Sequence, residues 1–219
     1  LGVPASLQPT FRSNKLTDTS DAYLRQTFNI LRTYKQQLAA FDTGKESPQQ
    51  KISSSALAWY LDDEISYEDF MYDDYLLNPV YSVQINLHDL MTDLQPLTGK
   101  QDADNYISRL QAVNSRIDNV LAEMKIREQK GIFMPKWMVD EVIAQIHGYI
   151  PQDVKSSDFY TTFTAKVGAL SNISSADKQT LYNSAEEAVR TSVYPAYNKL
   201  ADYLTEIRPK SRDTDGAWA

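Results

Sequence analysis

From Ile107 to Met124 an apolar residue returns every three or four positions, at Ile107, Leu110, Val113, Ile117, Leu121 and Met124. That period belongs to a helix and not to a strand. A single helix of this length cannot hide its apolar stripe, so the chain around it must supply further helices to pack against. Thr98 and Gln101 stand at capping-box spacing ahead of the stripe, and Gly131 can close it, which predicts one long helix between them.

The same period recurs along the chain. Leu24, Phe28, Leu31, Tyr34, Leu38 and Phe41 predict a helix over 21–41, stopped by Asp42-Thr43-Gly44. Ser47-Pro48 can start a second, whose Ile52, Ala56 and Trp59 repeat the spacing while Leu57, Tyr60 and Leu61 widen the stripe. Between Asn78 and Leu94 the pattern is less regular, and Pro79 and Pro96 frame a short helix flanked by extended chain. Pro135 can open a helix carrying Met138, Val142, Ile143 and Ile146 as far as Pro151, and a shorter one spans 158–170. Ser174 or Ser175 caps a last long segment with Leu181, Ala185, Val189, Val193, Tyr197, Leu200 and Leu204, ending before Pro209, with a kink expected at Pro195. No run alternates as a strand does, and no fixed period marks a repeat. The expectation is an all-α fold, an array of long antiparallel helices over 21–209, with an extended lead-in over 1–20 and a polar linker over 210–219.

Composition excludes several functions. With 22 Lys and Arg against 29 Asp and Glu, and no long basic patch, the chain is poorly suited to wrapping nucleic acid. No stretch approaches the ~18 consecutive apolar residues of a transmembrane helix. The absence of cysteine rules out disulfides, thiolate metal ligands and a Cys nucleophile in this chain. The sequence opens at Leu1 rather than Met, as a chain does after its leader is removed. A periplasmic or secreted location follows, with a lipid anchor on the leader side, the cytoplasm being the alternative.

The strongest anomaly is Asp62, Asp63, Glu64, Glu68, Asp69, Asp73 and Asp74, seven acids within thirteen residues and no base among them. They lack the ligand alternation and central Gly of a calcium loop, so a solvated face, or one that meets a basic surface, is expected. His88 and His147 are far apart and neither belongs to a His-Glu-x-x-His motif, so no metal site is assigned to them. Ser53, Ser54 and Ser55 lack the glycines of a nucleophile elbow. The segment from Asn78 to Leu87 is the more informative one. Its Asn78, Tyr81, Gln84 and Asn86 could orient a peptide or sugar through directed hydrogen bonds, and are the substrate-cleft candidates. Capping of irregular backbone is the competing and favoured role for such residues.

Read in order, several stretches carry a family resemblance. They are Leu-Thr-Asp-Thr-Ser at 16–20, Trp59-Tyr60-Leu61, Asn-Pro-Val-Tyr-Ser-Val-Gln-Ile-Asn-Leu at 78–87 and Asp104-Asn105-Tyr106-Ile107-Ser108-Arg109-Leu110. Arg127-Glu128-Gln129-Lys130-Gly131-Ile132 with Pro135, then Val193-Tyr194-Pro195-Ala196-Tyr197 and Asp215-Gly216-Ala217-Trp218, complete the succession. In this order they resemble the bacterial family catalogued as domain of unknown function 885. The family usually has Asn-Gln where this chain has Asn78-Pro79, and Gly where it has Ser82.

The resemblance implies a longer parent protein, whose later part carries a His-Glu-x-x-Pro-Gly-His motif similar to the zinc site of helical gluzincin metallopeptidases. None of its ligands, nor its catalytic Glu, matches a position in this sequence, so no catalytic or metal residue is transferred. The implied cofactor is zinc in that later part, and none in this chain. The implied partners are a peptide substrate and the C-terminal catalytic part of the same protein. These helices would then form one wall of a larger metallopeptidase-like fold. A stand-alone helical binding or scaffolding domain is the other function class open to such a sequence.

Overall fold

The computed structural model describes residues 14–41 and 43–213, and it is helical throughout with no strand among them. Asp42 of the expected stop, most of the lead-in and the Asp215-Gly216-Ala217-Trp218 motif lie outside the described residues. The chain divides into two compact units, one of residues 18–74 and one of residues 1–17 with 75–219.

The smaller unit is a hairpin of α1 (Asp21–Ala39) and α2 (Pro48–Ser66). Ser20 caps α1 by accepting the Tyr23 amide at 3.3 Å. At α2 the capping box is complete: Ser47 Oγ accepts the Gln50 amide, and Gln50 Oε1 accepts the Ser47 amide. Asp21 meets Tyr72, Arg32 meets Glu68 and Lys35 meets Asp62, an order that runs down α1 as it runs back from the turn beyond α2 into α2 itself. The two helices are therefore antiparallel. Helix α1 stops at Ala39, short of the expected Phe41, because the Ala40 and Phe41 amides turn to the carbonyls of Gln37 and Leu38, three residues back. Two helices hide only the faces they turn to each other: Leu61 is buried in α2, and no residue of α1 is.

The larger unit contains α3 (Val83–Asp89), α4 (Lys100–Gln129), α5 (Lys136–Tyr149), α6 (Asp158–Gly168), α7 (Ser175–Ala188) and α8 (Tyr194–Ile207). The long central stripe is α4, 30 residues and so about 45 Å from end to end. Its expected Thr98–Gln101 box does not form. Gly99 takes the capping position, and the Thr98 amide and hydroxyl both bind Asp102 instead, at 2.9 and 2.5 Å. At the other end Gly131 adopts φ 76°, its amide meets the Glu128 carbonyl and the Ile132 amide reaches back to Arg127, a closure that a left-handed glycine permits.

Helices α7 and α8 are joined without a break by a π-helical turn, Val189–Val193, in which the Tyr194 amide bonds the Val189 carbonyl five residues back. Pro195 follows directly. Its ring would press on the carbonyl four residues earlier in an ordinary helix, and the wider turn gives it room, so the strain expected there is taken up as a π turn. A second such turn, Leu90–Leu94, extends α3 and precedes Pro96, with the Gln95 amide on the Leu90 carbonyl at 2.8 Å.

Helices α5 and α8 run antiparallel, tied by Asp140 to Arg208 at one end and by the Tyr149 and Tyr197 rings at the other. So do α6 and α7, where the Tyr182 hydroxyl meets the Thr164 carbonyl and Lys178 the Gly168 carbonyl. Helix α4 lies along α7, the π turn and α8 in the same direction as they run, with Asp118 at Lys199 and Glu128 at Tyr203 and Lys210. The intervening α5 and α6 make that direction possible. Tyr106, Leu110, Ile117, Phe159, Phe163, Tyr197 and Leu200 are fully buried in this core.

Candidate functional site

The cleft candidates gather at the start of α3, where the chain turns through Asn78-Pro79-Val80-Tyr81. Asn78 builds the turn itself. Its Oδ1 accepts the amides of Val80 and Tyr81 at 3.0 and 2.6 Å, and its Nδ2 donates to the Tyr81 carbonyl at 2.8 Å. Pro79 fixes the second position of this turn and gives up no donor that the turn needs.

Gln84 lies one turn deeper and has 0% exposure. Its Nε2 donates to the Asn78 carbonyl at 2.8 Å and to Gln145 Oε1 on α5 at 3.2 Å. Its Oε1 stands 2.6 Å from the Ser82 hydroxyl, which also faces the Asn78 carbonyl at 2.7 Å. Gln145 in turn donates to the Pro79 carbonyl at 2.8 Å. Below them the Tyr197 hydroxyl on α8 donates to the Gln84 carbonyl at 2.9 Å. Burial, with smaller contributions from Tyr149 and Asp89, drives the Tyr197 phenol far above its ordinary range, which favours its protonated, donating form.

Tyr81 and Asn86 point the other way. Tyr81 is 78% exposed, beside an equally open Val80, and Asn86 is exposed on the outer side of α3. The four candidates thus divide: Asn78 and Gln84 hold the turn through bonds within the protein, while Tyr81 and Asn86 are presented on it. The turn presents an aromatic ring and an amide on its outer side.

His88 sits behind the same helix. Its ring stacks on Tyr149 at 4.3 Å, meets Phe159 edge-on, and places Nε2 3.1 Å from Asp158 and Nδ1 3.3 Å from Asp89. The Tyr149 phenol is raised by burial and, secondarily, by Asp89 and Asp158. His147 is exposed on α5. The two histidines are not brought together, and among the described residues no group of three or more His, Asp or Glu could hold a metal ion.

The acidic run occupies the end of α2 and the turn beyond it. Two of its members meet bases on α1, Glu68 with Arg32 and Asp62 with Lys35, and the Tyr60 phenol is raised by its hydrogen bond to Glu64. Ser54 is spent on Glu46. Two grooves lie away from the four cleft candidates. One, of about 450 Å³, runs between α1 and α2 past Lys35, Leu38, Glu46, Lys51 and Ser54. The other, of about 280 Å³, lies between α4 and α7 beside Lys100, Asp104, Gln111, Asp177 and Ser184. Each draws its lining from two helices, so no local motif could have announced it.

The family described as bacterial protein of unknown function (DUF885) matches residues 1–218. No curated protein matches the chain. Among solved structures, a protein of Colwellia psychrerythraea with a provisional lipoprotein designation is similar, with a TM-score of 0.85 at 18% identity. The match covers 94% of this chain but only 37% of that protein, so the chain spans little more than a third of its structural neighbour. At this identity the likeness shows the shared helical fold. No described helix of this chain is long and apolar enough to cross a membrane.

Proposed function

The chain belongs to the DUF885 family, and from that premise we propose that it is the helical front part of a longer zinc-dependent peptidase, forming one wall of its substrate cleft. The observation that carries this reading is the coverage: nearly all of this chain superposes on just over a third of a longer helical protein. The sequence resemblance supplies the chemistry of the remainder through its His-Glu-x-x-Pro-Gly-His motif.

Zinc does not fit the described residues of this chain, whose two histidines are not brought together, His88 lying between Asp89 and Asp158 and His147 exposed on α5. Bound in the remainder, zinc would polarise a peptide carbonyl, with a Glu of that part activating water. The task of this chain is then positional. Tyr81 and Asn86 offer a substrate backbone an aromatic surface and an amide, and Asn78, Gln84 and Gln145 keep that turn from yielding when it is occupied. The neighbour's lipoprotein designation supports an anchored periplasmic or secreted location for the parent protein.

The test begins with the coding sequence beyond Ala219. A His-Glu-x-x-Pro-Gly-His motif there, stoichiometric zinc in the full-length protein and chelator-sensitive peptide hydrolysis are expected. In that protein Tyr81→Ala should raise KM for peptides and leave kcat close to wild type. A stop codon directly after Ala219 would favour a stand-alone binding domain instead, and peptidase activity from residues 1–219 alone would contradict the division of labour.

A further inference from the structure

Helix α2 has two apolar sides and only one of them is covered. Ser54, Ala58, Leu61 and Ile65 are at least half-buried on the side that faces α1. Ile52, Ala56, Trp59 and Asp63 follow at spacings of four, three and four, within about 60° of arc on the opposite side. There Ile52 is 65% exposed and Trp59 68%, and Tyr67 prolongs the stripe beyond the helix end at 56%. Open apolar rows of this size on a helix mark a surface that meets another protein surface.

Asp63 gives the row a sign. It stands between Trp59 and Tyr67, and none of the described bases pairs with it, whereas its neighbour Asp62 is held by Lys35. A partner that covers Trp59 therefore has to answer a carboxylate one turn along the same row, and burying that carboxylate without a cation would be costly. The occupant that fits is an apolar helix with a Lys or Arg opposite Asp63.

We propose that this face of α2 is the seat of such a helix from the C-terminal remainder of the longer protein. The proposal rests on the reading of the chain as a front part. The length of chain that the structural neighbour carries beyond the matched 37% makes the remainder the available source. A second copy of this chain paired through the same row with the two helices parallel would bring Asp63 and the rest of the acidic run of each toward the other.

The chain has no cysteine, so Ala56→Cys places a thiol in the middle of the row with little change of volume. In the full-length protein, maleimide modification of that peptide, read by mass spectrometry, should be on the order of tenfold slower in the folded than in the urea-unfolded state. Adding Asp63→Lys should restore most of the lost rate. Folded and unfolded rates within about twofold of each other would overturn the proposal. So would protection that vanishes on dilution, which assigns the row to a second copy, or a coding sequence that ends at Ala219. The readout is independent of catalysis: protection in a protein without zinc-dependent hydrolysis refutes the enzyme reading alone, and equal rates in an active peptidase refute the docking alone.

Discussion

The Tyr197 hydroxyl donates to the Gln84 carbonyl across 113 residues of chain, at 2.9 Å and wholly within the core. One bond joins the last long helix to the start of the short one that carries the candidate turn. Removing the hydroxyl alone, as Tyr197→Phe, should cost about 1 kcal/mol. Tyr197→Ala also opens a cavity beside Tyr149 and Phe159, and should cost about 3–5 kcal/mol. Urea titration of both variants checks the difference; equal losses would mean that the bond, and not packing around the ring, accounts for the whole effect.

Gln84 and Tyr81 should separate structure from recognition. Gln84→Ala strips the turn of its bonds to Asn78 and Gln145 and should lower stability by about 1–3 kcal/mol. Tyr81→Ala, on an open side chain, should stay within about 0.5 kcal/mol of wild type. Thermal melts of the pair decide it. A Gln84→Ala protein as stable as its parent, but weakened in peptide binding, would move Gln84 from the frame of the turn to its working face.

Gly131 should be intolerant for a backbone reason alone. A Cβ there meets nothing within 4 Å, yet φ is 76°. Gly131→Ala should therefore cost about 1 kcal/mol through the left-handed backbone rather than through a clash. Gly131→Asn should recover part of it, because Asn adopts that conformation more readily. Chemical denaturation of the two variants orders them.

Stability should fall on acidification through two ion pairs of the larger unit. Hydrogen bonds from Arg208 hold the Asp140 carboxyl below its ordinary range, and Lys210, then Tyr203, do the same for Glu128. The unfolded chain takes up these protons more readily than the folded one. The contribution is thus complete above the usual carboxylate range of about pH 4 and is lost as pH falls through the depressed native values. Melting temperatures measured from about pH 6 down to pH 3 should drop less steeply for Asp140→Asn or Glu128→Gln than for wild type. Both pairs are open to solvent, so added salt should shrink the difference.

Much of the architecture could be read in residues that act locally. The stripe from Ile107 to Met124 does form α4, Ser47-Pro48 does open α2, and Ser174 caps α7 by accepting the Asp177 amide. Helix ends depended on single bonds that spacing does not reveal, as when Asp102 rather than Gln101 takes Thr98. The direction in which α4 lies beside α7 and α8 was out of reach, because it depends on how α5 and α6 return the chain. The candidate segment was visible as an irregular, amide-rich stretch. Its division into Asn78 and Gln84 within and Tyr81 and Asn86 without depends on Gln145 and Tyr197, whose distance in sequence left no trace near position 84.

Leu181, Ala185, Val189, Val193 and Tyr197 stand four apart, a rhythm slower than an α-helix keeps. Each step of four drifts about 40° around the axis, so by Tyr197 the row would have wandered some 160° from Leu181. The turn at Val189–Val193 spends about one residue more than an α turn does, and that surplus brings the row back into phase. Forced into regular α geometry at the same chain length, α8 would present a different side to the core, and the Tyr197 phenol would sweep away from the Gln84 carbonyl. The bond that steadies the Asn78–Tyr81 turn is thus timed by a length correction that lies before Pro195, on a helix far from it in the chain.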